Sequence, residues 1–553
     1  MNLRKLVNTS VVLLITGLTL TACSGGEPQA AKDLASYQSQ TIEWGGCNSA
    51  YGRGITQSKA FANAPNTDCT KVLVPASYSG GTSTKEYSIA LMRIGYATES
   101  DYMGTIFINP GGPGASGIEQ LVFSEFPKEL LKHYDIIGFD PRGVGFSKFS
   151  DGTSIKCSDR LDFESYFDGE GSPANEAEEK LNEDILNEYY ADCAERNPDW
   201  WTMSTENVVS DLELMRSVLL DDEPLNFIGS SYGTTIASLY VSRYPENVGK
   251  IVLDSPTSSD SDIFAAGLEN MKSQEAKLNM LLDAYADHKG VSIEVAFQKL
   301  LKFKQLADDD KLVGDNGIYP SKEQPNFMIS PESLFRKGLF ALNYLPEEQA
   351  KRDFISAMDA LEANRSNRIF EWYGLVMDGY DPSALEGGSS LDSKEIIRSN
   401  QYEVMEIVNS LDYAPAELTE EEQREFYQQT LKLAPRSTKL SMDSSGYINF
   451  KPSKIKDWVE IALADDQIPD PATEPLAREN KSGKELLVIG SINESVTPYA
   501  FSKETAELLK SPLISVNDSV HAPAAYYNNS CLNRILVDYF ISDKEIKNTT
   551  CNR

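Results

Sequence analysis

The stretch Leu225-Asn226-Phe227-Ile228-Gly229-Ser230-Ser231-Tyr232-Gly233-Thr234 holds a short apolar run, a G-x-S-x-G segment and then a helix-compatible run. A strand that turns sharply into a helix exposes the middle serine, and the flanking glycines relieve crowding in the strained turn. The helix start adds free N–H groups and a positive dipole end, both suited to a developing anion. Ser231 is the candidate nucleophile. Such a serine needs a base, and the chain has only 3 histidines. For a nucleophile on this kind of elbow the chain order is serine, acid, histidine. His133 lies upstream, and His288 lies in the polar helix end Asp287-His288-Lys289-Gly290. His521, in the loop Asn517-Asp518-Ser519-Val520-His521-Ala522, is the candidate base.

The acid is expected in the loop after the preceding strand, Leu486–Gly490. Glu494 is the only carboxylate of that loop, Ser491–Pro498. It would hold the imidazole tautomer and stabilise the imidazolium. Asp254, at the end of an earlier strand, is the alternative; Asp518 is too close to His521 in sequence to be a natural partner. An oxyanion also needs two N–H donors. Asn109-Pro110-Gly111-Gly112-Pro113-Gly114-Ala115-Ser116-Gly117 follows a strand directly, its glycines permit close backbone approach, and Pro113 has no N–H. Gly112 and Tyr232 are the candidate donors. A phosphate cradle is excluded by the lack of any G-x-x-x-x-G-K-[ST].

These residues need a scaffold that brings distant loops together. Strand candidates are Tyr87–Ile94, Gly104–Asn109, Tyr134–Asp140, Asn226–Gly229, Lys250–Asp254, Glu485–Gly490 and Leu513–Val516, with helix-like stretches such as Thr205–Leu220 and Thr234–Tyr244 between them. Short strands alternating with helices predict an α/β fold, a mostly parallel central sheet with helices on both faces. The alternation stops after Pro256 and returns at Glu485. Residues 257–480 are predicted as a large helical cap, with apolar periodicity in Leu334–Leu345 and Phe354–Leu361 and acidic runs at Asp308–Asp310 and Glu420–Glu422. The sheet domain then comprises residues 41–256 and 481–553.

Composition narrows the function. Against 51 Lys+Arg stand 83 Asp+Glu, a formal charge of −32. That argues against nucleic acid as a partner, since phosphates call for a basic face, and against electrostatic adhesion to anionic lipid. Neither H-E-x-x-H nor C-x-x-C occurs, so no metal and no cofactor is expected.

The N-terminus has two early positive charges, an apolar run from Val11 to Leu20, and then Leu20-Thr21-Ala22-Cys23. The run is too short to span a bilayer, which takes about 20 residues, so residues 1–22 read as a signal peptide. A leucine, a small residue, alanine and cysteine resemble a bacterial lipobox, with Cys23 acylated. Residues 23–40 are small and polar and are predicted to be a flexible tether. Ser24 follows the cysteine, which favours the outer membrane over the inner. Six cysteines remain, an even number, as expected of a disulfide framework in an exported chain. They fall into three local couples: Cys47–Cys69, Cys157–Cys193 and Cys531–Cys551.

Taken together, Ile42–Cys47, Cys69–Pro75, the NPGGPGASG of Asn109–Gly117, the DPRGVGFS of Asp140–Ser147, Gly229–Thr234, Val496-Thr497-Pro498 and the Cys531/Cys551 tail resemble the exported tripeptidyl-aminopeptidase branch of the α/β hydrolases, related to proline iminopeptidases. The resemblance implies a serine exopeptidase that removes short peptides from free N-termini through an acyl-enzyme. A carboxylesterase or lipase with the same triad is the alternative, and a non-catalytic lipoprotein a third. Two departures stand out. The family usually has Asp where Glu494 stands, and members often carry a further cysteine pair late in the cap, where this chain has no Cys between 194 and 530.

Overall fold

The computed structural model describes residues 33–47, 67–78, 85–95, 100–124, 126–157, 176–258, 263–308, 339, 342–363, 400–412, 419–441, 479–526, 529–542 and 544–552. Among these, one sheet runs in the order β1-β2-β3-β5-β4-β7-β8-β9-β10-β11, with β6 paired to β3. The strands are β1 Gly45–Gly46, β2 Thr67–Pro75, β3 Glu86–Ile94, β4 Gly104–Asn109, β5 Tyr134–Phe139, β6 Lys148–Phe149, β7 Leu225–Ser230, β8 Val248–Asp254, β9 Leu487–Ser491, β10 Leu513–Asn517 and β11 Thr549–Asn552. From β5 to β11 every pairing is parallel, while β1, β2, β3 and β6 pair antiparallel. The parallel strands are apolar along their length: Ile106, Phe107, Ile108, Phe227, Ile228, Ile251, Val252 and Leu253 are all buried. Such runs fit strands covered on both faces.

All seven predicted strands form, with ends moved by one or two residues. The helices Thr205–Leu219 and Gly233–Arg243 match their predicted positions closely. Four further strands, β1, β2, β6 and β11, were not among the candidates. β2 and β3 are long antiparallel partners whose register runs Thr67↔Ile94 to Pro75↔Glu86. In β2 Thr67, Asp68, Thr70 and Lys71 fill most of the first half and only Val72, Leu73 and Val74 are consecutively apolar, so it does not read as a long apolar run. β11 lacks apolar residues except Cys551; its order comes from parallel pairing with β10 and from the disulfide to Cys531. All three expected disulfides form, Cys47–Cys69, Cys157–Cys193 and Cys531–Cys551.

The C-terminal end of the predicted tether is structured instead. Leu34–Gln38 is a helix capped by Asp33, whose carboxylate accepts the Ser36 N–H at 3.0 Å. Tyr37 is buried in the main core, and the Gln40 amide both donates to the Leu73 carbonyl at 3.0 Å and accepts from the Leu73 N–H at 2.9 Å. A primary amide supplies a donor and an acceptor at once, so this one side chain docks the segment onto β2. Residues 1–32, with the signal peptide and Cys23, lie outside the described residues.

The described elements of the insertion between β8 and β9 are helices: Ile263–Lys289, Ile293–Asp308, Glu347–Glu362, Gln401–Asp412, Glu420–Leu433 and Pro435–Ser441. Leu281, Leu282, Tyr285, Phe297, Leu300, Phe354 and Met358 form a core of their own. The helix Gln401–Asp412 differs, because Val404, Ile407 and Val408 pack into the main core. Of the stretch Leu334–Leu345, residues 339 and 342–345 are described, with a 3-10 turn at Leu342–Tyr344; the others of that stretch, and the acidic residues Asp309 and Asp310, lie outside the described residues.

Candidate active site

β7 ends in the predicted elbow. Ser231 adopts φ 54°, a left-handed backbone conformation that costs energy for any residue with a Cβ and is held only where its surroundings impose it. The next strand imposes it here: Ser231 N–H donates to the Asp254 carbonyl at 2.9 Å, and the helix Gly233–Arg243, buried over most of its length, starts two residues later. Close packing explains the second glycine of the motif. A Cβ on Gly233 would stand 2.5 Å from the Asn109 carbonyl oxygen.

The glycine loop after β4 lies against this elbow. A Cβ on Gly111 would come within 2.6 Å of the Ser230 carbonyl oxygen, 2.7 Å of Tyr232 N and 2.9 Å of the Ser231 Cβ. Of the two candidate oxyanion donors, Tyr232 follows the nucleophile directly, and Gly112 follows Gly111, the residue packed against the elbow. Gly111 N–H is taken by the Asn109 side chain at 3.0 Å, which leaves its own amide unsuited to the task.

Glu494 and His521 meet. His521 Nδ1 contacts Glu494 Oε1, and both residues are buried. The carboxylate is fixed from three other sides. Oε1 accepts the Thr497 hydroxyl at 2.6 Å and the Thr497 N–H at 3.2 Å, while Oε2 accepts the Ser255 hydroxyl at 2.7 Å. Ser255 in turn accepts the Ala522 N–H at 3.0 Å, so a single hydroxyl ties the end of β8, the acid loop and the histidine loop together. Thr497 and Ser255 were not singled out in the sequence. Thr497 lies three residues after the acid, within the Val-Thr-Pro that carried the resemblance.

Asp254 does not reach the imidazole. Its Oδ2 accepts the Ala524 and Ala525 N–H groups at 3.0 and 3.2 Å, at the start of the short helix that follows His521, and takes a long contact from the Ser230 hydroxyl at 3.4 Å. Burial and, next, the neighbouring Glu494 carboxylate push its carboxyl well above the usual range. The other histidines are placed elsewhere: His133 Nδ1 lies 2.9 Å from the Asp101 carbonyl, and His288 pairs with Asp359 at 3.1 Å within the cap.

The DPRG segment, which carried the resemblance without an assigned role, organises the loops beneath the site. Asp140 accepts the Ser116 hydroxyl at 2.5 Å and the Ile118 and Phe146 N–H groups at 3.2 and 2.9 Å. Burial pushes its carboxyl up to about 7, against those three hydrogen bonds. Arg142 makes a fully buried two-pronged pair with Asp211, at 2.8 and 2.5 Å, and donates to the carbonyls of Ala76 and Thr202. From the inserted region, Asn400 donates to the Gly143 carbonyl at 2.7 Å. Asp412 accepts the Thr205 N–H at 3.0 Å and its hydroxyl, and that hydroxyl also meets the Tyr232 phenol.

An elbow serine, a carboxylate-held histidine reached after β9 and β10, and a glycine loop against the elbow define a serine hydrolase of the α/β hydrolase fold. Residues 104–328 match the family model for the alpha/beta hydrolase fold, and residues 456–551, which hold the acid and the histidine, match that of TAP-like protein. Over these two regions the chain is similar to TAP-like α/β hydrolases. It is 33% identical over 206 residues to a tripeptidyl aminopeptidase of Streptomyces lividans, covering 35% of this chain and 36% of that protein. It is 31% identical over 281 residues to the serine protease Hip1 of Mycobacterium bovis, covering 48% and 49%. A carboxylesterase B of Mycobacterium tuberculosis is 30% identical over 156 residues, covering 27% and 28%. The matched regions thus span between about a quarter and a half of these relatives' length.

Proposed function

We propose that this protein is a serine exopeptidase that releases short peptides, of tripeptide length, from free N-termini. The observation that carries the reading is the buried Glu494–His521 contact, set in the part of the chain that matches TAP-like protein. Ser231 Oγ attacks the scissile carbonyl while His521 Nε2 takes its proton, and Glu494 keeps the second proton on Nδ1. The N–H groups of Gly112 and Tyr232 receive the oxyanion. His521 then protonates the departing amine, leaving an acyl-enzyme on Ser231. Water, deprotonated by the same histidine, attacks the acyl carbonyl and restores the serine.

The test is a substrate panel on the wild-type protein. Unblocked tripeptidyl anilides are expected to turn over faster than their N-blocked counterparts by at least about tenfold, roughly 1.4 kcal/mol of transition-state preference, and faster than short acyl esters relative to the uncatalysed rates. Equal rates with and without the block would remove the exopeptidase reading. Ester turnover without peptide turnover would favour the carboxylesterase.

The proposal extends to location: an exported protein, anchored by lipid on Cys23 to the bacterial cell envelope, at the outer membrane. Its supports are the basic start, the apolar run and the Leu-Thr-Ala-Cys ending, together with three disulfides of the kind that persist in oxidising compartments. Expressed in bacteria, the Cys23→Ser form is expected to move from the membrane fraction to the soluble one, since acyl chains supply the anchor. Unchanged membrane partitioning would rule the anchor out.

A further inference from the structure

The region inserted between β8 and β9 makes polar contacts with both loops of the acid–base pair. Glu347 N–H donates to Asp518 Oδ1 at 2.7 Å, and Asn493 Nδ2 donates to Glu347 Oε2 at 3.1 Å. Ser495 Oγ donates to Asn343 Oδ1 at 2.7 Å. The Tyr344 ring meets the His521 ring edge-on, 5.4 Å between centroids. The least expected of these contacts comes from the helix Ile263–Lys289. Lys277 is 3% exposed, and its Nζ donates to Ser519 Oγ at 2.5 Å, two residues before His521.

A buried ammonium is a costly way to fill space, and a hydrocarbon side chain would fill it more cheaply. Here burial lowers the Lys277 ammonium to about 8, while Asp518, Glu347 and Glu494 hold the charge in place and Lys351 opposes it. At neutral pH the group stays largely charged. It faces, on separate elements, the acid of the pair, the loop of the base and the first turn of the helix Glu347–Glu362.

We propose that Lys277 is a positioning residue for His521: it ties the histidine loop to the helical insertion through Ser519 and, at neutral pH and below, sets a positive charge beside the acid–base pair. The inference rests on the reading of Ser231 and His521 as nucleophile and base. It makes the inserted helices part of the catalytic geometry rather than only a cover over it.

A probe that needs no knowledge of the substrate tests this. The rate of Ser231 labelling by a fluorophosphonate is measured from pH 5 to 9 on the full chain, with thermal melts as the folding control. Labelling of wild type but not of Ser231→Ala upholds the underlying reading; if wild type is not labelled, that reading falls and the inference with it. Lys277→Met is expected to label at least about tenfold more slowly on its high-pH plateau, through lost alignment of the base. Its acid limb is expected to move to higher pH by about half a unit or more, because removing a nearby positive charge favours a protonated imidazole. Lys277→Arg keeps the charge and the acid limb. Ser519→Ala loses the tie but not the charge, so it slows labelling and leaves the acid limb in place. A folded Lys277→Met with wild-type rates and an unmoved acid limb overturns the proposal. If that variant does not fold, wild-type labelling by Ser519→Ala overturns it.

Discussion

Ser231→Ala is expected to reduce turnover by on the order of 10⁶-fold, by analogy with nucleophile removal in other serine hydrolases, and to leave the melting temperature within a degree or two. Both halves follow from the elbow. The hydroxyl is the only part of the side chain that reacts, whereas the fold relies on the Ser231 backbone, through its N–H to the Asp254 carbonyl and the left-handed turn at φ 54°. Alanine meets the same steric cost as serine at that φ, so the change is nearly neutral for stability. The measurement is kcat on the preferred substrate beside a thermal melt. A folded variant that keeps more than a few per cent of activity would place the nucleophile elsewhere.

Glu494→Gln is the second large effect, on the order of 10³–10⁴-fold in kcat by analogy with loss of the triad acid. Size is preserved and charge is lost, yet the contact set shows that more than charge is at stake. The present carboxylate accepts from Thr497 twice, from Ser255 once, and faces His521 Nδ1. A glutamine must turn its NH₂ toward one of these donors. If it faces His521, the imidazole has to present a lone pair at Nδ1 and its proton moves to Nε2, the wrong tautomer for a base. If it takes the place of Oε2 instead, it faces Ser255, whose hydroxyl must reverse. Glu494→Asp keeps an acceptor-only group and should retain far more activity, with a loss set by how far the loop can follow the shorter side chain. A Gln variant within about tenfold of wild type would require another acid, and Asp254→Asn would be the variant to make next. The hydrogen bonds from Ala524 and Ala525 to Asp254 argue instead that Asp254 holds the turn behind His521.

The site was legible because its chemistry imposes order on the chain. A strand-turn-helix around Ser231, a carboxylate after one late strand and a histidine after the next leave few candidates in a chain with three histidines. The apolar central strands were legible for a related reason, since burial on both faces writes continuous Val, Ile, Leu and Phe runs. β2 and β11 were not, because pairing with a neighbour and a disulfide order them more than their own apolar content does. The docking of Gln40 on β2 was hidden too, as a polar segment gives no sign that one amide will find a strand edge. The sites where Ser255 and Lys277 act depend on tertiary approach between segments more than 200 residues apart, and no local pattern marks them.

The order of the strands has a consequence for how the molecule is made. β9 joins the sheet beside β8, although the whole helical insertion separates them in the chain. The strands through β8 can pair as synthesis proceeds, but the parallel contact with β9 waits until the whole insertion and Leu487–Ser491 have been made, and such distant pairings form late. Until then a nascent chain holds Ser231 without Glu494 or His521. The proposed set of nucleophile, acid and base is therefore complete only once the loops after β9 and β10 have been made.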